Sequence, residues 1–157
     1  FCPFTTRPQK HWIDERWGEL AGRIGNEFGM PVLILGGPEH KEAARRIRGL
    51  AGKWLIDMAG ETTIKQAAGI IKRSSLLVGV DTGLTHMGIA QCAPTIALFG
   101  ATCPYMDTGS DTAVVLYHPM ECSPCHRSPT CKGKFPCMGS ITAKEVMETA
   151  AGLPEKK

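Results

Sequence analysis

Several features that define common protein classes are missing from this sequence. No apolar run approaches the roughly 20 residues that a membrane-spanning helix requires, since the longest, Ala93 to Gly100, is short and interrupted. The stretch Phe1 to Pro8 has neither a basic region nor a long apolar region, so it does not resemble a signal peptide. Neither a G-x-G-x-x-G loop nor a G-x-x-x-x-G-K-[ST] loop is present, which disfavours an NAD enzyme and a P-loop ATPase.

Charge of one sign is also lacking. The 157 residues carry a formal net charge of only +3, and Lys and Arg are mixed with Glu in segments such as His40 to Arg48. Such mixing is typical of a solvated helix face, whereas nucleic-acid-binding domains show one-sided basic patches. We therefore expect one soluble domain with a real core, no nucleic-acid partner and no transmembrane segment. Because the chain starts at Phe1 rather than Met, we also expect it to be part of a longer protein.

The sequence does contain an alternation of short apolar runs and helical patterns. The runs at 31–35, 54–57, 76–80, 94–100 and 114–117 predict strands. Apolar residues at helical spacing predict helices between them, with Phe28, Leu50 and Ile64 on the apolar faces. Thr142 to Glu145 forms a capping box that opens a last helix. Strands alternating with helices in this way are typical of an α/β fold with a Rossmann-like, doubly wound parallel sheet.

The sharpest candidate site is the segment Asp81-Thr82-Gly83-Leu84-Thr85-His86. In an open α/β sheet, ligands bind beyond the carboxyl ends of the strands, where helix N-termini converge. Thr82 and Gly83 would offer a hydroxyl and backbone N–H groups to a pyrophosphate, while His86 would reach a phosphate or a sugar hydroxyl. The alternative is that Asp81 or Thr82 only caps the helix and His86 only packs, because Asp-Thr-Gly also occurs in unrelated turns.

Two weaker candidates lie in other loops. Glu39 follows the turn Gly36 to Pro38 and would accept hydrogen bonds from ribose hydroxyls, or would simply favour a helix N-terminus. Lys10 lies shortly before a predicted helix and would neutralise a diphosphate, or would be an ordinary loop charge beside a hydrophobic staple at Trp12.

Taken together, these loops resemble glycosyltransferase family 9, the ADP-heptose:lipopolysaccharide heptosyltransferases. The most specific part of the resemblance is the D-[TS]-G-x-x-H element, here Asp81 to His86. The remaining similar segments are Thr6 to Trp12, Leu33 to Glu39, Gly60 to Ala68, Leu77 to Ala90 and Ile96 to Thr102. The resemblance implies that residues 1–157 form the C-terminal, nucleotide-sugar-binding half of a GT-B glycosyltransferase, whose N-terminal acceptor domain is absent from this chain.

The resemblance also implies a function. The chain would bind the donor of an inverting enzyme that transfers heptose from ADP-heptose to the lipopolysaccharide core. It would be inactive alone, because the general base is expected in the missing N-terminal domain, and no catalytic residue is assigned here. That domain would also bind the acceptor. The whole enzyme would act in the cytoplasm, at the cytoplasmic face of the inner membrane. No cofactor is required for the transfer, and the absence of an Asp-x-Asp metal–nucleotide motif is consistent with this.

Individual donor-binding roles follow from the same resemblance. Lys10 would contact the diphosphate, Glu39 the ribose, and Met58 would pack beside the adenine. Other donor-binding residues would contact phosphates or the heptose: Thr6, Asp81, Thr82, Gly83, Leu84 and His86.

Four of the seven cysteines lie in a Cys- and Pro-rich segment, 119–139, as Cys122, Cys125, Cys131 and Cys137. This segment has little apolar content, so a structural zinc or disulfides would compensate for its missing core. Free thiols remain a third possibility, and His118 and His126 are alternative zinc ligands. Cysteines without a secretory signal favour a reducing compartment. The other cysteines, expected to be buried or incidental, are Cys2, Cys92 and Cys103.

The Cys-rich segment suggests an alternative function, which is binding rather than catalysis. In that hypothesis the chain is a zinc-containing binding or interaction module, and the sheet is only its scaffold. A sugar-nucleotide epimerase is disfavoured, because the Tyr-x-x-x-Lys pair and a dinucleotide loop are missing.

Overall fold

The computed structural model describes residues 1–102 and 104–154. Its strands are β1 (Val32–Ile34), β2 (Leu55–Asp57), β3 (Leu77–Val80), β4 (Thr95–Phe99) and β5 (Ala113–Tyr117). Its helices are α1 (Asp14–Phe28), α2 (Lys41–Ala51), α3 (Ile64–Arg73), α4 (Gly83–Ala90), α5 (Pro136–Ser140) and α6 (Ala143–Gly152). Short 3₁₀ turns cover Pro8–Lys10, Pro38–His40 and Gly52–Trp54. No helix within the described ranges has the length and hydropathy needed to cross a bilayer.

All the paired strands run parallel, and the first residues of the chain join them. β1 pairs with β2, and β3 pairs with β4, which pairs with β5. Phe1 and Cys2 lie between β1 and β3: the Leu35 amide donates to Phe1 O at 2.9 Å, and the Cys2 amide donates to Val78 O at 2.9 Å. The resulting order is β2-β1-(residues 1–2)-β3-β4-β5. The predicted Rossmann-like parallel sheet is confirmed.

Helices cover both faces of this sheet. On one face, α1, α2 and α6 pack Trp17, Ile47 and Val146 against the strands. On the other face, α3 and α4 lie over a smaller apolar cluster that includes Ile71 and Leu77. Strands that are buried on both sides need continuous apolar sequence. This explains why the runs at β3 and β4 could be recognised without any alternation.

Helix ends that depend on local chemistry follow the sequence prediction. α1 ends at Gly29, whose φ of 65° is in the left-handed region and whose amide donates to Gly25 O. The capping box that opens α6 is formed, with the Glu145 amide donating to Thr142 Oγ1 at 3.1 Å. Thr63 caps α3 in the same way. Each of these ends is determined by residues within four positions of one another.

The predicted helix faces need correction at three positions. Phe28, Leu50 and Ile64 were placed on buried faces but are exposed. Phe28 and Ile64 lie at the two ends of their helices, where the sheet no longer covers them. Leu50 lies where α2 crosses α1 so closely that a Cβ at Gly18 would lie 2.6 Å from Leu50 Cβ. This close approach leaves the end of the Leu50 side chain outside the interface.

Two further boundaries differ from the prediction. Trp54, expected to begin a strand, lies in the 3₁₀ turn before β2. The segment 119–139, predicted to lack a core, contains the start of α5, whose Cys137 and Met138 are buried. Met138 belongs to the main core cluster, so the segment does contribute to the core.

Candidate functional site

The turn that carries Asp81 lies at the carboxyl edge of the sheet, held there by close packing of α4 on β3. A Cβ at Gly79 would overlap Thr85 Oγ1 and would lie 3.0 Å from Cys2 Cβ. A Cβ at Gly88 would likewise overlap the Leu77 side chain. The absence of side chains at Gly79 and Gly88 therefore allows α4 to lie directly on the strands. As a result, the α4 N-terminus opens onto the edge where ligands bind in such sheets.

Asp81 is the centre of a polar network in this turn. Its Oδ2 atom accepts from Lys10 Nζ at 2.6 Å and from Thr102 Oγ1 at 2.7 Å. Its Oδ1 atom lies 2.9 Å from His86 Nε2, and the other ring nitrogen of His86 lies 2.7 Å from the Tyr105 hydroxyl. The side chains of Asp81 and Lys10 are only 14% and 17% exposed. The structure thus brings together three predicted residues and adds two that were not predicted.

The charge of Asp81 determines how the network is hydrogen-bonded. Burial is the largest single influence and raises the pKa of the Asp81 carboxyl, but the hydrogen bonds from Lys10, Thr102 and His86 together outweigh it, so the pKa lies below its usual value. An ionised Asp81 can only accept, so His86 Nε2–H donates to it. His86 Nδ1 is hydrogen-bonded to the Tyr105 hydroxyl, and the pKa of Tyr105 is raised by burial and by the charge of Asp81.

The alternative in which this turn is only a helix cap does not fit the geometry. Thr82 is the residue before α4, but its side chain makes no capping hydrogen bond. Asp81 is engaged with Lys10 instead, and the His86 ring is exposed and hydrogen-bonded rather than packed. The first N–H groups of an uncapped helix have no intrahelical acceptor. They form a positive site that suits an anion.

A cleft of about 330 Å³ lies beside the turn that follows Asp81. Its walls are the loop after β1 and the N-termini of α3 and α4. The rings of Phe4 and His40 line it and are stacked on each other, with centroids 4.7 Å apart and an angle of 7°. The apolar side chains of Leu35 and Ala67 also line it, and Thr82 and Gly83 lie at its edge. Flat apolar surfaces beside a helix N-terminus suit a ligand with an aromatic ring and an anionic group.

The other predicted donor-binding residues take different positions around this cleft. Leu84 lines it, and Met58 is half-buried against the apolar cluster that contains Leu35 and Ala67. Glu39 is exposed, with its carboxylate close to Gly37 Cα, a residue that lines the cleft. Thr6 is not brought together with them, because it lines a separate cleft of about 530 Å³ with Trp12, Lys134 and other residues.

Sequence reasoning missed residues in both the network and the cleft. Thr102 and Tyr105 join the network, and Phe4 and His40 line the cleft. The loop that carries Thr102 and Tyr105 follows a predicted strand, so its place at this edge was expected, but no motif singled out either residue. Phe4 and His40 are 36 positions apart in the sequence, so no local pattern predicts that their rings stack.

The Cys-rich segment is attached to the network by hydrogen bonds. The His126 amide donates to Ala101 O at 2.6 Å, and Ser123 Oγ donates to Gly100 O. Gln9 Nε2 donates to His126 O at 3.1 Å. These bonds fix the strand end before Thr102 and the 3₁₀ turn that ends at Lys10. The segment therefore supports both groups that bond to Asp81 Oδ2.

The described cysteines do not form a metal site. Across 1–102 and 104–154, no three His, Cys, Asp or Glu side chains are grouped so that they could hold a metal ion. Cys122, Cys125 and Cys131 are half-buried free thiols, and Cys137 is a buried one. Burial raises the pKa of the Cys137 thiol, and the pKa of buried Cys2 rises to about 11 for the same reason. Cys92 is exposed, and Cys103 lies outside the described residues.

A comparison with protein families gives this geometry its context. The model of glycosyltransferase family 9 (heptosyltransferase) matches residues 1–135, which include the whole Asp81 network and the cleft. The chain belongs to glycosyltransferase family 9. Lipopolysaccharide heptosyltransferase 1 of Salmonella typhimurium is 36% identical over 66% of this chain and 32% of its own length. Lipopolysaccharide heptosyltransferase 2 of the same organism is 29% identical over 98% of this chain and 45% of its own length.

Solved structures agree with this membership. The E. coli ADP-heptose lipopolysaccharide heptosyltransferase II superposes with a TM-score of 0.82 at 26% identity, over 97% of this chain and 44% of that one. An E. coli heptosyltransferase solved with ADP-2-deoxy-2-fluoro heptose superposes with a TM-score of 0.74 at 26% identity, over 97% of this chain and 42% of that one. The chain thus has the fold of one half of these GT-B enzymes and spans less than half their length.

Proposed function

We propose that this chain is the donor-binding, C-terminal domain of an inverting heptosyltransferase that transfers heptose from ADP-heptose to the lipopolysaccharide core. The observation that carries the proposal is the Lys10–Asp81–His86 network at the open N-terminus of α4, directly beside an apolar cleft. An adenosine diphosphate has the matching parts in the same order: a flat ring, a ribose and two phosphates. Membership of the family supports the reaction class.

In this proposal each part of the nucleotide meets matching chemistry. The adenine enters the cleft lined by Phe4 and His40, with Met58 packed nearby, and the exposed Glu39 carboxylate accepts from ribose hydroxyls. The diphosphate lies against Thr82 and Gly83. A related E. coli enzyme has been solved with ADP, which supports this choice of nucleotide.

Lys10 and Asp81 have complementary roles at the diphosphate. An ammonium group carries three N–H donors, so Lys10 can bond to Asp81 and still present donors to a phosphate. Transfer of the sugar leaves additional negative charge on the departing diphosphate, and preorganised donors lower the energy of that state. Lys10 and the α4 N-terminus supply such donors from the chain itself. We therefore propose that the donor site requires no cofactor.

The remaining parts of the reaction are assigned to the rest of the enzyme. The general base and the acceptor site belong to an N-terminal domain that this chain does not contain, so the chain alone binds the donor without completing the transfer. The whole enzyme would act in the cytoplasm, at the inner face of the inner membrane, where a lipid-anchored acceptor is accessible.

Calorimetry with ADP tests the proposal. We expect ADP to bind the chain in the presence of EDTA, and Lys10→Ala to weaken binding about 10- to 100-fold, because a hydrogen bond to a charged group contributes roughly 1.5–3 kcal/mol. His86→Ala should also weaken it. The matched control is Lys144→Ala, which removes a lysine that pairs with Glu148 on α6. Absence of ADP binding by the wild-type chain, or equal affinities for Lys10→Ala and Lys144→Ala, would contradict the proposal.

A further inference from the structure

The orientation of His86 is not fixed by burial. Its side chain is 44% exposed and projects from the first turns of α4. An exposed imidazole of this kind has access to several rotamers, and ordering it costs side-chain entropy. The two hydrogen bonds of its ring nitrogens, between Nε2 and Asp81 and between Nδ1 and the Tyr105 hydroxyl, are therefore what hold it in place.

Tyr105 is in turn held by the sheet. Its ring meets Phe99 edge to face, with centroids 5.3 Å apart, and Phe99 is a buried residue of β4. The same ring lies 5.7 Å from the His86 ring at an angle of 41°. The half-buried Tyr105 thus connects a rigid strand with an exposed imidazole on another element. Its hydroxyl is the only part of it that hydrogen-bonds to His86.

We propose that Tyr105 is a positioning residue of the donor site, which holds the His86 imidazole against Asp81 so that the ring is already oriented when a nucleoside diphosphate sugar arrives. This inference rests on the proposed function, in which His86 contacts the donor. Preorganisation of a binding group reduces the entropy lost on association. Tyr105 acts through His86 alone, so its contribution should vanish when the imidazole is removed.

A double-mutant cycle with Tyr105→Phe and His86→Ala tests this inference. Tyr105→Phe keeps the ring on Phe99 and removes only the hydroxyl, so we expect a folded protein that binds ADP about three- to tenfold more weakly, the range for loss of one hydrogen bond. In the His86→Ala background, the same substitution should leave ADP affinity unchanged. A purely structural role would weaken binding equally in both backgrounds.

The other tyrosine of the chain provides the matched control. Tyr117 donates a 2.8 Å hydrogen bond to Ser123 O, and among the described residues it makes no hydrogen bond to His86 and no ring contact with it. The effect of Tyr117→Phe on ADP affinity should be the same with and without His86. A one-bond ¹H–¹⁵N NMR spectrum of the imidazole region gives an independent readout: the His86 Nε2–H signal should be visible in the wild type and broadened by water exchange in Tyr105→Phe.

The outcomes separate this inference from the proposed function. If His86→Ala weakens ADP binding but Tyr105→Phe does not, the role of Tyr105 is wrong and the donor site stands. Equal effects of Tyr105→Phe in both backgrounds, or an unchanged His86 signal, would also overturn it. If Lys10→Ala and His86→Ala both bind ADP as the wild type does, the donor site and the role of Tyr105 fail together.

Discussion

Replacing Asp81 with Asn removes the charge at the centre of the network while keeping the shape of the side chain. In the wild type, one carboxylate oxygen accepts from Lys10 and Thr102 and the other accepts from His86. An asparagine offers one carbonyl oxygen and one NH₂ group, so one of the two positions that accept hydrogen bonds in the wild type becomes a donor, and neither carries a negative charge. Lys10, which is largely covered, is left without its counter-ion. We expect Asp81→Asn to lower the free energy of unfolding.

The size of this loss follows from the contacts. Hydrogen bonds to charged groups contribute roughly 1.5–3 kcal/mol each, and an asparagine keeps part of the set. The Lys10 and Asp81 side chains are 17% and 14% exposed, so water can partly solvate the unpaired Lys10 ammonium. The loss of stability should therefore be below the 3–5 kcal/mol typical of a fully buried pair. We therefore expect about 2–3 kcal/mol at pH 7. For a domain of this size, this lowers Tm by roughly 4–12 °C.

The effect should depend on pH in a defined direction. The pKa of Asp81 in the folded chain lies below its usual value of 3.8. Such a group contributes stability that is present above the unfolded-state pKa and is lost as pH falls through the folded-state pKa. The wild type should therefore begin to lose its advantage over Asp81→Asn as the pH falls below about 4, and should lose more of it as the pH falls further.

Urea unfolding of both proteins across this pH range provides the assay. The control is Asp57→Asn, since Asp57 also lies at the carboxyl end of a strand but, among the described residues, accepts a hydrogen bond only from the Ala59 amide, at 2.9 Å. Its effect should be under about 1 kcal/mol, the usual contribution of one neutral hydrogen bond. A stability difference for Asp81→Asn that stays constant down to pH 3, or that equals the effect of Asp57→Asn, would refute the reasoning.

Two further predictions concern packing and thiol chemistry. Gly79→Ala should destabilise the chain by about 1–3 kcal/mol, because its Cβ would overlap Thr85 Oγ1. The exposed α3 glycine Gly69 has open space around it, so Gly69→Ala should be neutral or stabilising by about 1 kcal/mol, and thermal unfolding of both variants checks this. In iodoacetamide labelling at pH 7.5 followed by mass spectrometry, exposed Cys92 should react and buried Cys2, with a pKa of about 11, should not; equal labelling would contradict the buried position of Cys2.

The parts of the fold that sequence reasoning recovered are those determined by neighbouring residues. The left-handed glycine that ends α1 and the capping box that opens α6 depend on a few adjacent positions. The doubly buried strands were visible as apolar runs. The first two residues were not recognised as part of the sheet, because a segment that short shows no period.

The candidate site was recovered in part for the same reason. Asp81, Thr82, Gly83 and His86 lie in one short motif, and the structure brings Lys10 to them. The partners Thr102 and Tyr105 come from the loop after β4, 21 and 19 positions away from Asp81 and His86, respectively. Only the packing of neighbouring strands brings such groups together, so periodicity and spacing along the chain contain no signal for them.

The position of the first residues in the sheet has a mechanical consequence. Phe1 and Cys2 join the two halves of the sheet by backbone hydrogen bonds, with β1 and β2 on one side and β3, β4 and β5 on the other. Cys2 and Phe4 also form a wall of the cleft beside Thr82. A cleavage that separated these residues from the rest of the domain would leave both half-sheets with an unpaired inner edge and would remove that wall. Any change that breaks the hydrogen bonds of Phe1 and Cys2 to the sheet would therefore also disrupt the cleft, although the Asp81 motif itself would remain intact in the chain.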